Sequence, residues 1–211
     1  AKDKKRDPEN MYVRLDEVIK TKEDVEKLGI GVGNFIFIDP KTIVTKSGFV
    51  KSRFLDDKIN VASIFGLIKY FQENNITPKY TIKFIISTYE EVGHGASYIP
   101  VLDEMIAVDM GCIGDDLTCT EFDVSICPKD SSGPYDYNLT NKLIETAKKH
   151  KINHAVDIYP YYGSDVSAAN RGGNDFKGAL MGPGVHASHG MERTHIDGIE
   201  ATISLLINYL K

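Results

Sequence analysis

The 211-residue sequence has no excess of basic residues. Its 25 Lys and Arg against 30 Asp and Glu give a formal charge of −5, and no basic run stands out. We therefore expect no nucleic-acid partner, because such proteins carry a clustered positive footprint. Long apolar runs are also absent, and no signal peptide opens the sequence. We therefore expect no membrane partner either.

Cysteine is scarce, and the common catalytic motifs are missing. The three cysteines, Cys112, Cys119 and Cys127, contain no CxxC pair. This argues against a disulfide framework or a cysteine zinc site and for a reducing compartment, so we predict a cytoplasmic protein. The sequence has no HExxH, no phosphate-binding GK[ST] loop and no GxSxG. Zinc proteases of that type and nucleotide-phosphate loops are therefore excluded, and a serine hydrolase is disfavoured.

Residues 1–50 differ in pattern from residues 51–211. The stretch TKEDVEKLG predicts a short helix with Thr21 as its N-cap and Gly29 at its end. NFIFIDP and TIVTKSGFV predict strands. With few apolar residues for a core of its own, the first segment resembles the end of a β-rich module.

From residue 51 onward, predicted strands alternate with helices. DKINVASIFGLIKYFQENN, with Val61, Phe65, Ile68 and Phe71 at helical spacing, and NLTNKLIETAKKHKI predict amphipathic helices. A short helix is predicted near residues 95–103, and a final helix is predicted to begin at Asp197. The predicted strands are TIKFIIST, MIAVD, LTCTEFDVSICP, AVDIYP and GALMGP. This order predicts an α/β protein with a mostly parallel sheet covered by helices on both faces, a three-layer α/β/α arrangement.

Acidic side chains stand at the ends of several predicted elements. Glu90 and Glu91 follow TIKFIIST, and Asp109 follows MIAVD. Ligands of α/β sheets bind beyond the carboxyl ends of the strands, so we expect these carboxylates on one rim. Asp56 and Asp57 precede a helix. The loop GPGVHASHGMERTH adds the histidines His186, His189 and His195.

These groups together predict a metal site. Taken singly, the paired aspartates could simply cap a helix, and each histidine could be an ordinary loop residue. Several carboxylates on one rim would repel one another unless protons or cations relieve the repulsion. A pair of divalent ions, bridged by one carboxylate, suits mixed oxygen and nitrogen ligands, with zinc, cobalt or manganese as candidates. Two such ions can acidify a shared water, and one of the adjacent glutamates can accept its proton.

Five motifs resemble, in order and over nearly the whole chain, those of the dinuclear-metal aminopeptidases of the glutamyl and tetrahedral (TET) family, also labelled cellulase-M-like. They are VKSRFLDDKINVA, STYEEVGHGA, AVDMG, GSDVSAANRGG and GPGVHASH. The resemblance implies a zinc-exopeptidase-like fold. Residues 1–50 would be the end of the family's inserted β-rich dimerisation domain, and residues 51–211 the C-terminal part of the catalytic domain.

The resemblance also implies a role for each matching residue. Asp56 matches the bridging ligand, Glu90 the general base, and Glu91 and Asp109 ligands to one metal each. His189 is preferred over His186 as the histidine ligand, because Gly182 precedes it by the family's seven residues. Asp165 corresponds to an acidic position of the family near the substrate pocket. His186, the alternative to His189, is a candidate substrate-binding residue.

The sequence departs from the family pattern in two places. The family has a further ligand histidine in an HxD motif in the N-terminal third of the chain, and this sequence has none there. We therefore expect a fragment or truncated form in which one metal lacks a ligand. The stretch HASHGMERTH also stands where the ligand histidine is more often followed by Ser-Pro.

The resulting hypothesis is a metal-dependent aminopeptidase acting on peptides, with two divalent ions as cofactors. By analogy with the family, the full-length protein would form a homo-oligomer, a dimer or a dodecamer. Two alternatives stay open. One is an N-acyl amino acid or small amide hydrolase of the same fold, and the other is a metal-poor peptide-binding or assembly module.

Overall fold

A computed structural model describes residues 3–211, which separate into two units at Ile38/Asp39. The boundary expected at residue 50 lies inside the second unit, because β1 (Ile43–Val44) and β2 (Phe49–Ser52) form a sheet with a strand near the C-terminus. The identity of residues 1–50 as the end of an inserted dimerisation domain stays a prediction.

Within residues 3–38, the first unit contains one α-helix, α1 (Lys22–Lys27), and a 3-10 turn at Pro8–Asn10. Thr21 Oγ1 accepts a hydrogen bond from Asp24 N at 3.2 Å, and Asp24 Oδ2 accepts one from Thr21 N at 3.1 Å. This reciprocal capping box is the predicted helix start. The stretch NFIFIDP, by contrast, forms no strand, because no backbone partner pairs with it within the described residues.

Residues 39–211 carry the remaining regular structure, which begins with β1 and β2. The further helices are α2 (Leu55–Glu73), α3 (Tyr137–Lys149), α4 (Asp165–Arg171) and α5 (Ile196–Leu210). The further strands are β3 (Glu104–Val108), β4 (Gly111–Cys112), β5 (Val124–Cys127), β6 (Lys129–Asp130), β7 (Gly133–Pro134), β8 (His154–Val156), β9 (Lys177–Val185) and β10 (Glu192–His195).

The central sheet is mostly parallel, as predicted. Its strand order is β3-β9-β5-β8, with β4 also paired to β9. The β3–β9, β4–β9 and β5–β8 pairs are parallel, and the β5–β9 pair is antiparallel. A second sheet, β1-β2-β10, is antiparallel. The register of this small sheet decides which loops meet at the site.

Helices cover both faces of the central sheet. On one face α2, α3 and α5 bury Leu67, Leu143 and Leu205 against sheet residues that include Met181. On the other face Val166 of α4 packs with buried strand residues such as Leu180. The three-layer α/β/α prediction is therefore confirmed. Within residues 3–211, no helix has both the length and the apolar composition needed to cross a membrane.

Several local predictions are wrong. TIKFIIST forms no strand, since no backbone partner pairs with it in the described part of the chain. Of LTCTEFDVSICP only Val124–Cys127 forms a strand, and this strand, β5, is fully buried because helices pack on both of its faces. The segment 95–103 contains turns instead of a helix.

Two helices, α2 and α5, differ in detail from what the sequence predicted. In α2 the buried positions include Asn60, Ser63 and Leu67, whereas Phe65 is exposed, because the helix turns a more polar face to the protein. The N-cap of α5 is His195, whose Nδ1 accepts a hydrogen bond from Asp197 N at 3.1 Å. The helix therefore begins before Asp197.

Candidate functional site

A hairpin and the small antiparallel sheet bring Asp56 and His189 together. His186 pairs with Arg193 as an isolated bridge, so His189 lies at the tip of the turn between β9 and β10. Glu192 pairs with Ser52 of β2, and Asp56 follows Ser52 at the start of α2. The His189 Nε2 atom lies 3.4 Å from Asp56 Oδ2.

Asp109 reaches the same region from the end of β3. Because β3 and β9 are parallel, their carboxyl ends meet at one edge of the sheet. Gly182 on β9 permits this approach, since a Cβ there would lie 1.9 Å from the Asp109 carbonyl oxygen. Asp109 is 5% exposed, and its Oδ1 accepts a hydrogen bond from Met110 N at 2.7 Å.

Glu90 and Glu91 lie in a 3-10 turn, Glu90–Val92. Gly95 stands where a Cβ would lie 2.2 Å from the Thr88 carbonyl oxygen, so the loop can fold back on itself only with glycine there. The turn directs Glu91 toward the hairpin, and Glu91 Oε2 lies 3.0 Å from His189 Nε2.

The potential ligand atoms fall into two groups that share Asp56. Asp56, Glu91 and His189 form one group, and Asp56, Asp57 and Asp109 form the other. Within each group the ligand atoms lie within 4.8 Å of one another. Asp56, Glu91, Asp109 and His189 are the ligands that the family resemblance implied, and Asp57, an acidic candidate without an implied role, is the fifth member.

The other predicted site residues differ in their surroundings. Asp165, at the start of α4, accepts a hydrogen bond from Ser87 Oγ at 2.5 Å, and its charge acts on Glu90. His186 is exposed and lies beside Glu121 instead of the carboxylate groups. His195 is buried, with Nε2 2.8 Å from the Ser47 carbonyl oxygen, and is structural.

Burial and mutual repulsion raise the pKa values of these carboxyl groups. Burial, followed by the charge of Glu91, raises the pKa of Asp56 from 3.8 to about 7, although His189 acts in the opposite direction. Burial, followed by Glu91 and Asp165, raises the pKa of Glu90 to about 7. Burial also raises the pKa of Asp57 and of Asp109 well above the ordinary range, with other site carboxylates adding to both.

The donor set fits divalent cations. Protons or bound cations can relieve the repulsion among these carboxylates, and carboxylate oxygens with one imidazole are suitable ligands for zinc, cobalt or manganese. Each group offers three side chains, which leaves room for further ligands or water. The site could therefore hold two neighbouring cations that share Asp56.

The raised pKa of Asp56 predicts that the metal-free protein becomes less stable as the pH rises. A native state that binds a proton more tightly than the unfolded state is stabilised below pH 4 and loses this stabilisation up to about pH 7. For Asp56, whose side chain is 6% exposed, the shift corresponds to about 4 kcal/mol. Chelator-treated D56N should therefore become progressively more stable than the chelator-treated wild type between pH 4 and pH 8, as measured by urea unfolding.

The exposed Glu73 on α2 provides the control, because it lies outside both carboxylate groups. The free energy of unfolding of chelator-treated E73Q should match that of the chelator-treated wild type at every pH. If the difference in free energy of unfolding between D56N and the wild type stays constant from pH 4 to pH 8, the proposed proton binding by Asp56 is contradicted.

Three further residues lie near the site. Asp57 is held by Asn60, whose Nδ2 donates to Asp57 Oδ1 at 2.5 Å. The Tyr162 hydroxyl is buried with no hydrogen-bond partner of normal geometry, and burial followed by the Asp109 charge raises its pKa. Glu192 contacts the backbone of Asp56 and of His189. The adjacent pair DD placed Asp57 among the acidic candidates, whereas Tyr162 and Glu192 have no sequence signal and are found only through their tertiary contacts.

A mixed α/β fold whose loops and helix starts bring carboxylates and a histidine together at one edge of the sheet is typical of metal-dependent hydrolases. Residues 1–205 match the family described as M42 glutamyl aminopeptidase. The Bacillus subtilis (strain 168) protein named "Putative aminopeptidase YhfE" is 49% identical over 208 residues, which cover 98% of this chain. The chain therefore belongs to the M42 glutamyl aminopeptidase family, as its motifs predicted. It spans 60% of the length of YhfE.

Solved structures share the fold at low sequence identity. Aminopeptidase APDkam598 from Desulfurococcus kamchatkensis superposes with a TM-score of 0.79 at 18% identity, over 90% of this chain and 56% of that protein. The Pyrococcus horikoshii TET1 peptidase, which can assemble into a tetrahedron or a large octahedral shell, has a TM-score of 0.69 at 22% identity. That match covers 80% of this chain and 52% of TET1.

Proposed function

We propose that the protein is a metal-dependent aminopeptidase that removes N-terminal residues from peptides. The observation that carries this proposal is the position of Asp56, which belongs to both groups of potential ligands. A carboxylate shared in this way suits a bridge between two cations. Membership of the M42 glutamyl aminopeptidase family supports the same activity.

The proposed ligands divide between two cation positions. Asp56, Glu91 and His189 would hold one cation, and Asp56 with Asp109 would hold the other, with Asp57 beside it. The M42 family generally depends on a pair of metal ions, and zinc or cobalt, with manganese as a further candidate, would suit these ligands. When bound, such a pair supplies a water of lowered pKa and positive charge for the carbonyl oxygen of the substrate.

Glu90 is the proposed general base. Among the described residues it belongs to neither ligand group, so its oxygens can accept a proton from the attacking water. Burial and the neighbouring carboxylates raise its pKa to about 7, which suits proton transfer near neutral pH. The protonated Glu90 can then pass the proton to the leaving amine.

Negative charge around Glu90 suits a substrate with a free amino group. Ser87 holds the Asp165 carboxylate close enough for its charge to act on Glu90. An α-ammonium group entering this region would be attracted to Asp165, whereas an acylated terminus would not. Asp165 is therefore the proposed amino-terminus contact. His186 is a proposed contact farther along the substrate.

We also propose a homo-oligomeric, cytoplasmic protein. The TET1 structures of Pyrococcus horikoshii support oligomerisation through the shared fold, with one of them described as a dodecamer. The three free cysteines suit a reducing compartment.

The test is a substrate panel with and without metal. The chelator-treated protein should lose hydrolysis of aminoacyl anilides and regain it with Co²⁺, Zn²⁺ or Mn²⁺. N-acetylation of the same anilides should abolish hydrolysis, because the blocked terminus carries no positive charge. Metal analysis of the reconstituted protein should give two equivalents per chain.

Two outcomes would replace the proposal. Preferred hydrolysis of acetylated or amidated substrates would identify the N-acyl amino acid or small amide hydrolase instead. A protein that binds no metal and hydrolyses none of the panel would be the peptide-binding or assembly module.

A further inference from the structure

Glu192 is a buried carboxylate that the proposed chemistry does not use. It is the first residue of β10 and is 1% exposed. None of the ion pairs formed within residues 3–211 includes it. A buried carboxylate is costly unless hydrogen bonds compensate for its lost hydration. Its contacts should therefore explain its presence.

Both oxygens of Glu192 accept hydrogen bonds from the backbone of the candidate metal site. Oε2 accepts from Asp56 N at 2.9 Å, and Oε1 accepts from His189 N at 2.9 Å. One side chain thus joins the start of α2 to the β9–β10 turn. These two segments are 133 residues apart in sequence.

The backbone leaves regular secondary structure at both contact points. Asp56 has a ψ of 106°, which interrupts α2. His189 has a φ of +64°, in the left-handed region that non-glycine residues seldom adopt. A left-handed conformation at a non-glycine residue persists only where surrounding contacts hold it. The hydrogen bond from His189 N to Glu192 is a contact of that kind, and the bond from Asp56 N ties the start of α2 to the same side chain.

We propose that Glu192 is a positioning residue that sets the separation of Asp56 and His189 and thereby shapes the cation position they share. This inference rests on the proposed metal-dependent function. A carboxylate suits the role better than an amide, because two N–H donors require two acceptor oxygens and glutamine offers one. The negative charge of Glu192 also acts on Asp56 and adds to the field that attracts a cation.

The experiment is a titration with Co²⁺, whose visible absorption reports the geometry of its ligands. Removing residues that orient metal ligands typically weakens metal binding by about 10- to 100-fold. We therefore expect E192A and E192Q to weaken Co²⁺ binding by about this factor, and to change the absorption band at saturation. If E192A does not fold, E192Q provides the comparison, because it keeps the side-chain volume.

Glu121 provides the matched control. It is also buried, and its Oε1 accepts a hydrogen bond from Nε of Arg193, the residue next to Glu192, at 2.9 Å. E121Q should lower the metal-free melting temperature but leave the Co²⁺ affinity and the absorption band unchanged. A role of Glu192 in stability alone would make E192Q behave like E121Q.

The possible results separate this inference from the proposed function. If the wild type binds Co²⁺ and both Glu192 variants bind it with the same affinity and spectrum, Glu192 is not a positioning residue. If the wild type binds no Co²⁺, the proposed function fails, and the inference fails with it.

Discussion

E90Q should lower kcat for aminoacyl anilides by about 10²- to 10⁴-fold, the range that general-base catalysis contributes. Glutamine keeps the size of the side chain but cannot accept a proton from water near neutral pH. Because Glu90 lies outside both ligand groups, the metal content should stay at the wild-type value. The measurement pairs steady-state kinetics with metal analysis of the same protein preparation.

E73Q, an exposed substitution on α2, is the control and should retain wild-type kcat. If E90Q hydrolyses the anilides at the wild-type rate, then Glu90 is not the base. If it loses metal together with activity, Glu90 acts as a ligand, and the division of roles between Glu90 and Glu91 must be reversed. A pH profile would add a further check, because the acidic limb that belongs to Glu90 should disappear in E90Q.

The sequence predicted the layer arrangement because that arrangement depends on order and periodicity. Strand and helix patterns alternate after residue 51, and a protein built in this way must cover its sheet on both faces. TIKFIIST was misread for the opposite reason. Its apolar composition is typical of a strand, but a strand also needs a backbone partner, and composition does not reveal one. Within the described residues, none pairs with it.

The site was predictable where residues follow directly from local order. Asp109 follows β3, so its place at the carboxyl rim of the sheet could be expected. The two glutamates reach the same region from a 3-10 turn, although the strand expected before them does not form. Glu192 could not be found in this way. Its contact with Asp56 depends on the pairing of Glu192 with Ser52, which only the folded chain establishes.

The buried face of α2 shows a similar limit. Helical spacing pointed to Val61, Phe65, Ile68 and Phe71 as core positions. The structure buries Phe71 but leaves Val61 and Ile68 half-buried and Phe65 exposed, and it buries Asn60 and Ser63 instead. Asn60 is needed on that face because its amide donates to Asp57. A polar residue that supports a site can therefore lie on the buried face of a helix, where a hydrophobic pattern does not predict it.

D56N should abolish the binding of both metal equivalents and lower kcat/KM at least as strongly as E90Q does. The reason is that Asp56 alone belongs to both ligand groups. D109N and H189N each alter one group, so each should retain about one equivalent under conditions in which the wild type binds two. Metal analysis after equilibrium dialysis, at the same free Co²⁺ concentration for all four proteins, makes the comparison.

Loss of metal from D56N could not be attributed to unfolding. Asp56 has a raised pKa in the metal-free protein, so replacing its charge by an amide should stabilise that state at pH 8. The variant should therefore melt above metal-free wild type while binding no Co²⁺, a combination that general damage to the fold would not produce. If D56N retains one equivalent, Asp56 serves a single cation, and the bridging role fails. If D109N or H189N loses both equivalents, the two positions fill only together.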